Sequence, residues 1–117
     1  MLPRNLEEPV KRSVTAGTAL ALLFLAPATF ADAAKGAELF KSKCAMCHGP
    51  DGKGQTAVGK AMKIKDLTSD EDVKNMHDSE LKTLIESGKG KMKGFKGTLS
   101  TEQIEDIVQH IRSIQKK

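Results

Sequence analysis

Both cysteines of this 117-residue chain lie in one pentapeptide, Cys44-Ala45-Met46-Cys47-His48, with a histidine directly after the second. The other histidines are His77 and His110, both well downstream. Two thiols and an imidazole are thus gathered in one turn of chain. Such a set binds something, reacts with something or cross-links itself, and each use demands a different fold around it.

The chain opens with Arg4, Lys11 and Arg12, followed by an apolar or small run over 14–28 that Pro27 interrupts. The small residues Thr29 and Ala31 then precede Asp32. A basic start, a short apolar core and small residues before a polar stretch predict a secretory signal peptide over 1–31, cleaved after Ala31 or after Ala33. The apolar run falls short of the about 20 residues a membrane span needs. Glu7 and Glu8 are unusual in so basic a leader. The remaining domain, 32–117, stays net basic, as is the full chain at +4. It keeps Phe40 and Phe95 as its aromatics, and Trp and Tyr are absent throughout. A domain this small buries a modest fraction of its surface and commonly recruits a disulfide, a metal or a cofactor. Its composition calls for something to fold around.

The periodicity of 32–117 is helical, with no strand pattern, so the predicted class is all-α. Over 32–44, Ala33, Gly36 or Ala37, Phe40 and Cys44 share one stripe. Gly36 costs such a helix about 1 kcal/mol against Ala, a cost that close approach of another helix would offset. Residues 48–62 are rich in Gly, with a Pro-Asp-Gly turn at 50–52, and predict a loop. Short helices are expected over 68–76 and 79–87, the second ended by Gly88. A second loop, Gly- and Lys-rich, covers 88–99. The strongest helix is 100–117. Ser100 and Gln103 form a capping box, acids open it and basic residues close it. Ile104, Ile107, Val108, Ile111 and Ile114 make its apolar stripe.

Four chemistries compete for the pentapeptide. A zinc site takes four ligands, and only His77 and His110 remain to add. A thiol–disulfide enzyme places Cys-x-x-Cys at a helix start within an α/β fold, whereas here the motif follows a helix and strands are lacking. A structural disulfide would close too short a loop to gain much entropy. Covalent haem attachment has Cys-x-x-Cys-His as its signature. Two thiols three apart can each add to a vinyl group of one porphyrin edge, and the next imidazole is then held under the iron. Export suits this reading, and the porphyrin supplies the missing core.

With these residues in view, the chain from Ala34 to Ile114 resembles a small soluble class I cytochrome c of the bacterial periplasm. The stretch GAELFKSKCAMCHGPDGKG is similar to that family's first helix, haem attachment turn and following loop. The stretch GKGKMKGFKGTLSTEQIEDIVQHIRS is similar to its methionine loop and last helix. The resemblance implies a class I cytochrome c fold, helices wrapped around one covalently attached haem c. It implies that Cys44 and Cys47 form the thioethers, that His48 is the proximal iron ligand and that Met92 is the distal one. Gly36 and Phe40 match the family's contact between first and last helices. Lys93 stands where the family has proline after the ligand methionine, and His110 where it has Tyr or Trp.

Other residues could reach the sixth position. Met46 lies within the motif itself, Met62 in the first loop, and Met76 ends a short helix beside His77. A methionine near a helix is more often core filler. Met92 differs, because Gly and Lys surround it and no apolar stripe claims it. His110 is better accounted for as a half-buried helical histidine, and His77 as solvated. The function implied is single-electron transfer between membrane or periplasmic redox proteins, with no enzymatic activity. A haem peroxidase is the alternative, and it needs an open distal position. Lys89, Lys91, Lys93 and Lys96 suggest docking to an acidic partner surface. A monomer without nucleic-acid partners or membrane insertion of the mature chain completes the expectation.

Overall fold

The computed structural model describes residues 30–117 and, before them, Gly17, Ala21, Leu22 and Phe24. The leader expected over 1–31 therefore lies almost wholly outside the described residues. Helix α1, Ala33–Lys43, starts at Asp32, whose carboxylate accepts the backbone N–H groups of Ala34 and Lys35. Lys41 and Lys43 in its last turn complement the helix dipole. One-turn α2, Ala45–His48, follows at once and ends at Gly49, whose φ is +79°. Then come α3, Ala57–Ala61; α4, Glu71–Asn75; and α5, Asp78–Ser87. A minimal ladder, β1 (Gly88–Lys89) and β2 (Met92–Lys93), leads to α6, Thr101–Ile114. The predicted capping box of α6 is present: Gln103 N donates to Ser100 Oγ at 3.1 Å and Ser100 N to Gln103 Oε1 at 2.9 Å.

The core lies where α1 and α5 pack on α6. Phe40, Leu81, Ile85, Phe95, Leu99, Ile104, Ile107, Val108 and Ile111 are buried together. Phe40, Ile104 and Ile107 are its most enclosed side chains. The α1–α6 crossing is tight at Gly36, where an added Cβ would overlap the carbonyl oxygen of Asp106. This accounts for a glycine in mid-helix. Arg112 ties α6 to the α4–α5 elbow. Its Nε donates to Asp78 Oδ1 at 2.8 Å, and its guanidinium also donates to the carbonyls of Val73 and Met76.

The all-α expectation holds, with two local corrections. The 48–62 loop contains α3, capped by Thr56, whose hydroxyl oxygen accepts the N–H of Gly59. Glycine density concealed this helix, although Gly59 is needed there because a Cβ would overlap the carbonyl oxygens of Gly54 and Cys47. The 88–99 loop contains an antiparallel pair, Gly88 with Lys93 and Lys89 with Met92. Gly90, at φ +58°, turns it, as the first residue of a two-residue hairpin loop requires. Two-residue strands are too short to carry an alternating pattern. Among the described residues, no helix is long and apolar enough to cross a membrane.

Candidate functional site

The pentapeptide is itself helical. Cys44 closes α1 by donating its N–H to the Phe40 carbonyl at 2.8 Å. Its own carbonyl accepts the N–H groups of Cys47 at 3.2 Å and His48 at 3.0 Å. In helical geometry, residues three and four apart are neighbours on one face. Both thiols are half-buried and unbonded to each other. Burial, with Cys47 adding to it, pushes the Cys44 thiol up to about 11. A thiol–disulfide catalyst needs a lowered thiol pKa, so the Cys44 thiol is not poised for exchange.

His48 is half-buried, its ring 6.2 Å from that of Phe40. Burial holds its pKa below the ordinary histidine value, so the imidazole is neutral at pH 7, the form that ligates metals. Its Nδ1 is buried without a hydrogen-bond partner. The surrounding loop is anchored to the turn. Gly54 N donates to the His48 carbonyl at 2.6 Å, and Thr56 Oγ1 donates to the Cys47 carbonyl at 2.9 Å. Two thiols outside any disulfide, at helical spacing beside a neutral imidazole with an unpaired buried nitrogen, fit covalent haem attachment with axial ligation by nitrogen.

The methionines divide. Met46 is 79% exposed. Met76 and Met92 both lie half-buried at the edge of the core that Cys44 also borders. Met92 is carried on β2, and the hairpin is pinned to α5 by Phe95 N to the Ile85 carbonyl at 2.9 Å and Lys96 N to the Glu86 carbonyl at 3.0 Å. Phe95 is buried, with Lys93 Nζ 5.4 Å from its ring centroid. His110 packs its ring 5.0 Å from Phe40 in the α1–α6 interface. Its buried Nε2 lacks a partner, and burial lowers its pKa. His77 is exposed and serves the start of α5, its N–H donating to Glu80 Oε2 at 2.6 Å. Thr56, Gly59 and Arg112 were missed from sequence. Thr56-x-x-Gly59 carried a weak capping signal; Arg112 acts on residues too distant in the chain to be read.

The profile of the family described as cytochrome c oxidase, cbb3-type, subunit III, matches residues 31–111. A cytochrome c6 of Nostoc sp. strain PCC 7120 is 36% identical over 89 residues, 75% of this chain and 76% of that protein. A cytochrome c6 of Leptolyngbya boryana is 36% identical over 83 residues, 69% of this chain and 91% of that protein. Among solved structures, the KustC0563 c-type cytochrome superposes with a TM-score of 0.63 at 27% identity, covering 69% of this chain and 98% of that one. The fold and the relatives are those of a c-type haem electron carrier. The chain belongs to the small class I cytochromes c and carries their covalently bound haem c, with its iron.

Proposed function

We propose that the chain is a periplasmic single-electron carrier, not an enzyme, passing electrons between membrane or periplasmic redox proteins. Cys44 and Cys47 would hold the haem through thioethers to its vinyl groups. His48 would ligate the iron on one face and Met92 on the other. The observation that carries this is the neutral, half-buried His48 held in one helical turn with two unpaired thiols. When bound, the haem iron supplies a one-electron couple whose potential His/Met ligation raises above that of two imidazoles. The chain orients the group and sets its surroundings. Met92 sits on a hairpin anchored at both ends, by the backbone bonds to α5 and by the capped start of α6. That gives a neutral thioether a defined position without the proline the family has there.

Lys89, Lys91, Lys93 and Lys96 are all exposed. Among the described residues, the ion pairs use other groups. These lysines lie on the Met92 hairpin or just after it and suit an acidic redox partner. Carbon monoxide tests the closed distal position. The reduced native holoprotein should not bind it, and rapid stoichiometric binding would favour a ligand-binding or peroxidase function.

A further inference from the structure

Asp32 uses every polar group it has. Its carboxylate Oδ1 accepts from Ala34 N at 2.8 Å and Lys35 N at 3.2 Å. Its carbonyl accepts from Gly36 N at 2.9 Å. Its own N–H donates to Asp106 Oδ1, on α6, at 2.6 Å. This last bond lies at the α1–α6 crossing, where the Asp106 backbone meets Gly36. Just upstream, Phe30 and Ala31 are exposed, Phe30 at 88%. The integral fold therefore begins at Asp32. A neutral amide facing a part-buried carboxylate is a modest use of a charge.

We infer that the chain is processed between Ala31 and Asp32, and that the α-amine so created becomes an ammonium paired with Asp106, fastening α1 to α6. The inference rests on export of the chain. A leader peptidase would hydrolyse the Ala31–Asp32 bond with one water. The C–N bond breaks, the hydroxyl goes to the Ala31 carbonyl carbon and a hydrogen to the Asp32 nitrogen. That amine takes a further proton from solvent, because an α-amine has a pKa of about 7.7–8.0. Thr29 and Ala31 supply the small residues such cleavage needs. Cleavage after Ala33 would remove the α1 cap and the bond to Asp106 together, and cleavage after Ala31 keeps both, which is the ground for choosing it. An ammonium at a helix N-terminus is opposed by the dipole. Here the carboxylates of Asp32 and Asp106 both stand at that end and outweigh it.

The test uses the exported holoprotein. Its first residue is determined by N-terminal sequencing and intact mass, and the α-amine is then acylated at pH 7. Asp106→Asn keeps an oxygen of the same size, and its visible spectrum checks that the fold is retained. The wild type should begin at Asp32, and Asp106→Asn should label about threefold faster, the size expected for a part-exposed ion pair. Glu105→Gln, which removes the neighbouring partner of Lys82, should leave the rate unchanged. A first residue other than Asp32 would overturn the inference. So would equal labelling of wild type and Asp106→Asn, in which case export stands and the ion pair does not.

Discussion

At the scale of residues, the choice between Met92 and Met76 decides the electronic character of the proposed site. Both border the same core as Cys44, so burial does not separate them. Their supports do. Met76 ends α4, and its carbonyl is held by Arg112. Met92 is carried by the hairpin, with Phe95 buried just beyond it. Met92→Ala should therefore abolish the weak sulfur-to-iron band of the ferric protein, lower the potential and admit external ligands, whereas Met76→Ala should leave the band in place. The reverse pattern would move the distal ligand to the α4–α5 elbow. The pentapeptide was fully legible in the sequence because its chemistry is local: five residues hold both thiols and the imidazole. Met92 is singled out by the resemblance and by the Gly and Lys around it, since a lone methionine carries no spacing that marks a ligand, and its role stays part of the proposal. His110 was read as a half-buried helical histidine, and it sits against Phe40 in the helix interface.

At the scale of elements, two junctions hold the helices in place. At the α1–α6 crossing, Gly36→Ala puts a methyl group into the Asp106 carbonyl, and backbone on both sides leaves no flexible side chain to give way. Overpacking of this kind costs about 1–3 kcal/mol. Chemical denaturation of the holoprotein should show a loss of at least that size, and an unchanged midpoint would mean that the helices do not cross there. At the α4–α5 elbow, the Arg112 guanidinium, first among causes, holds the Asp78 carboxyl below its ordinary 3.8. A carboxyl depressed in the folded state stabilises it fully above the unfolded pKa and loses that contribution as pH falls through the folded one. The stability gap between wild type and Asp78→Asn should thus be constant near neutrality and close below about pH 4. The group is largely exposed, so the gap itself should be small. A gap that widens in acid would contradict the assignment. The helices flanking these junctions were legible from their caps and stripes, α6 above all. The small α3 and the β1–β2 pair were not, because glycine content and two-residue strands erase the periodicity by which elements are recognised. The Arg112 clamp joins residues far apart in sequence, which no local pattern records.

At the scale of the whole molecule, the basic edge of Lys89, Lys91, Lys93 and Lys96 should steer association with an acidic partner. Electron transfer with the physiological partner should slow as salt rises past about 0.1 M, where the Debye length is about 10 Å. A flat or rising salt dependence would remove these lysines from the docking surface. The porphyrin should also belong to the core. The buried cluster contains only two aromatic rings, Phe40 and Phe95, and Cys44 and Met92 sit at its edge. The double variant Cys44→Ala with Cys47→Ala should therefore lose fixed tertiary signals while keeping helical content, and a cooperative native-like transition in it would argue that the polypeptide folds unaided. The central claim is that haem is bonded to Cys44 and Cys47. The exported protein should be denatured, extracted with acidified acetone, and its proteolytic peptides weighed. The haem should stay with the polypeptide, and the peptide containing Cys44–His48 should carry one porphyrin with no titratable thiol left. Haem released into the acetone, with both thiols free, would contradict the account.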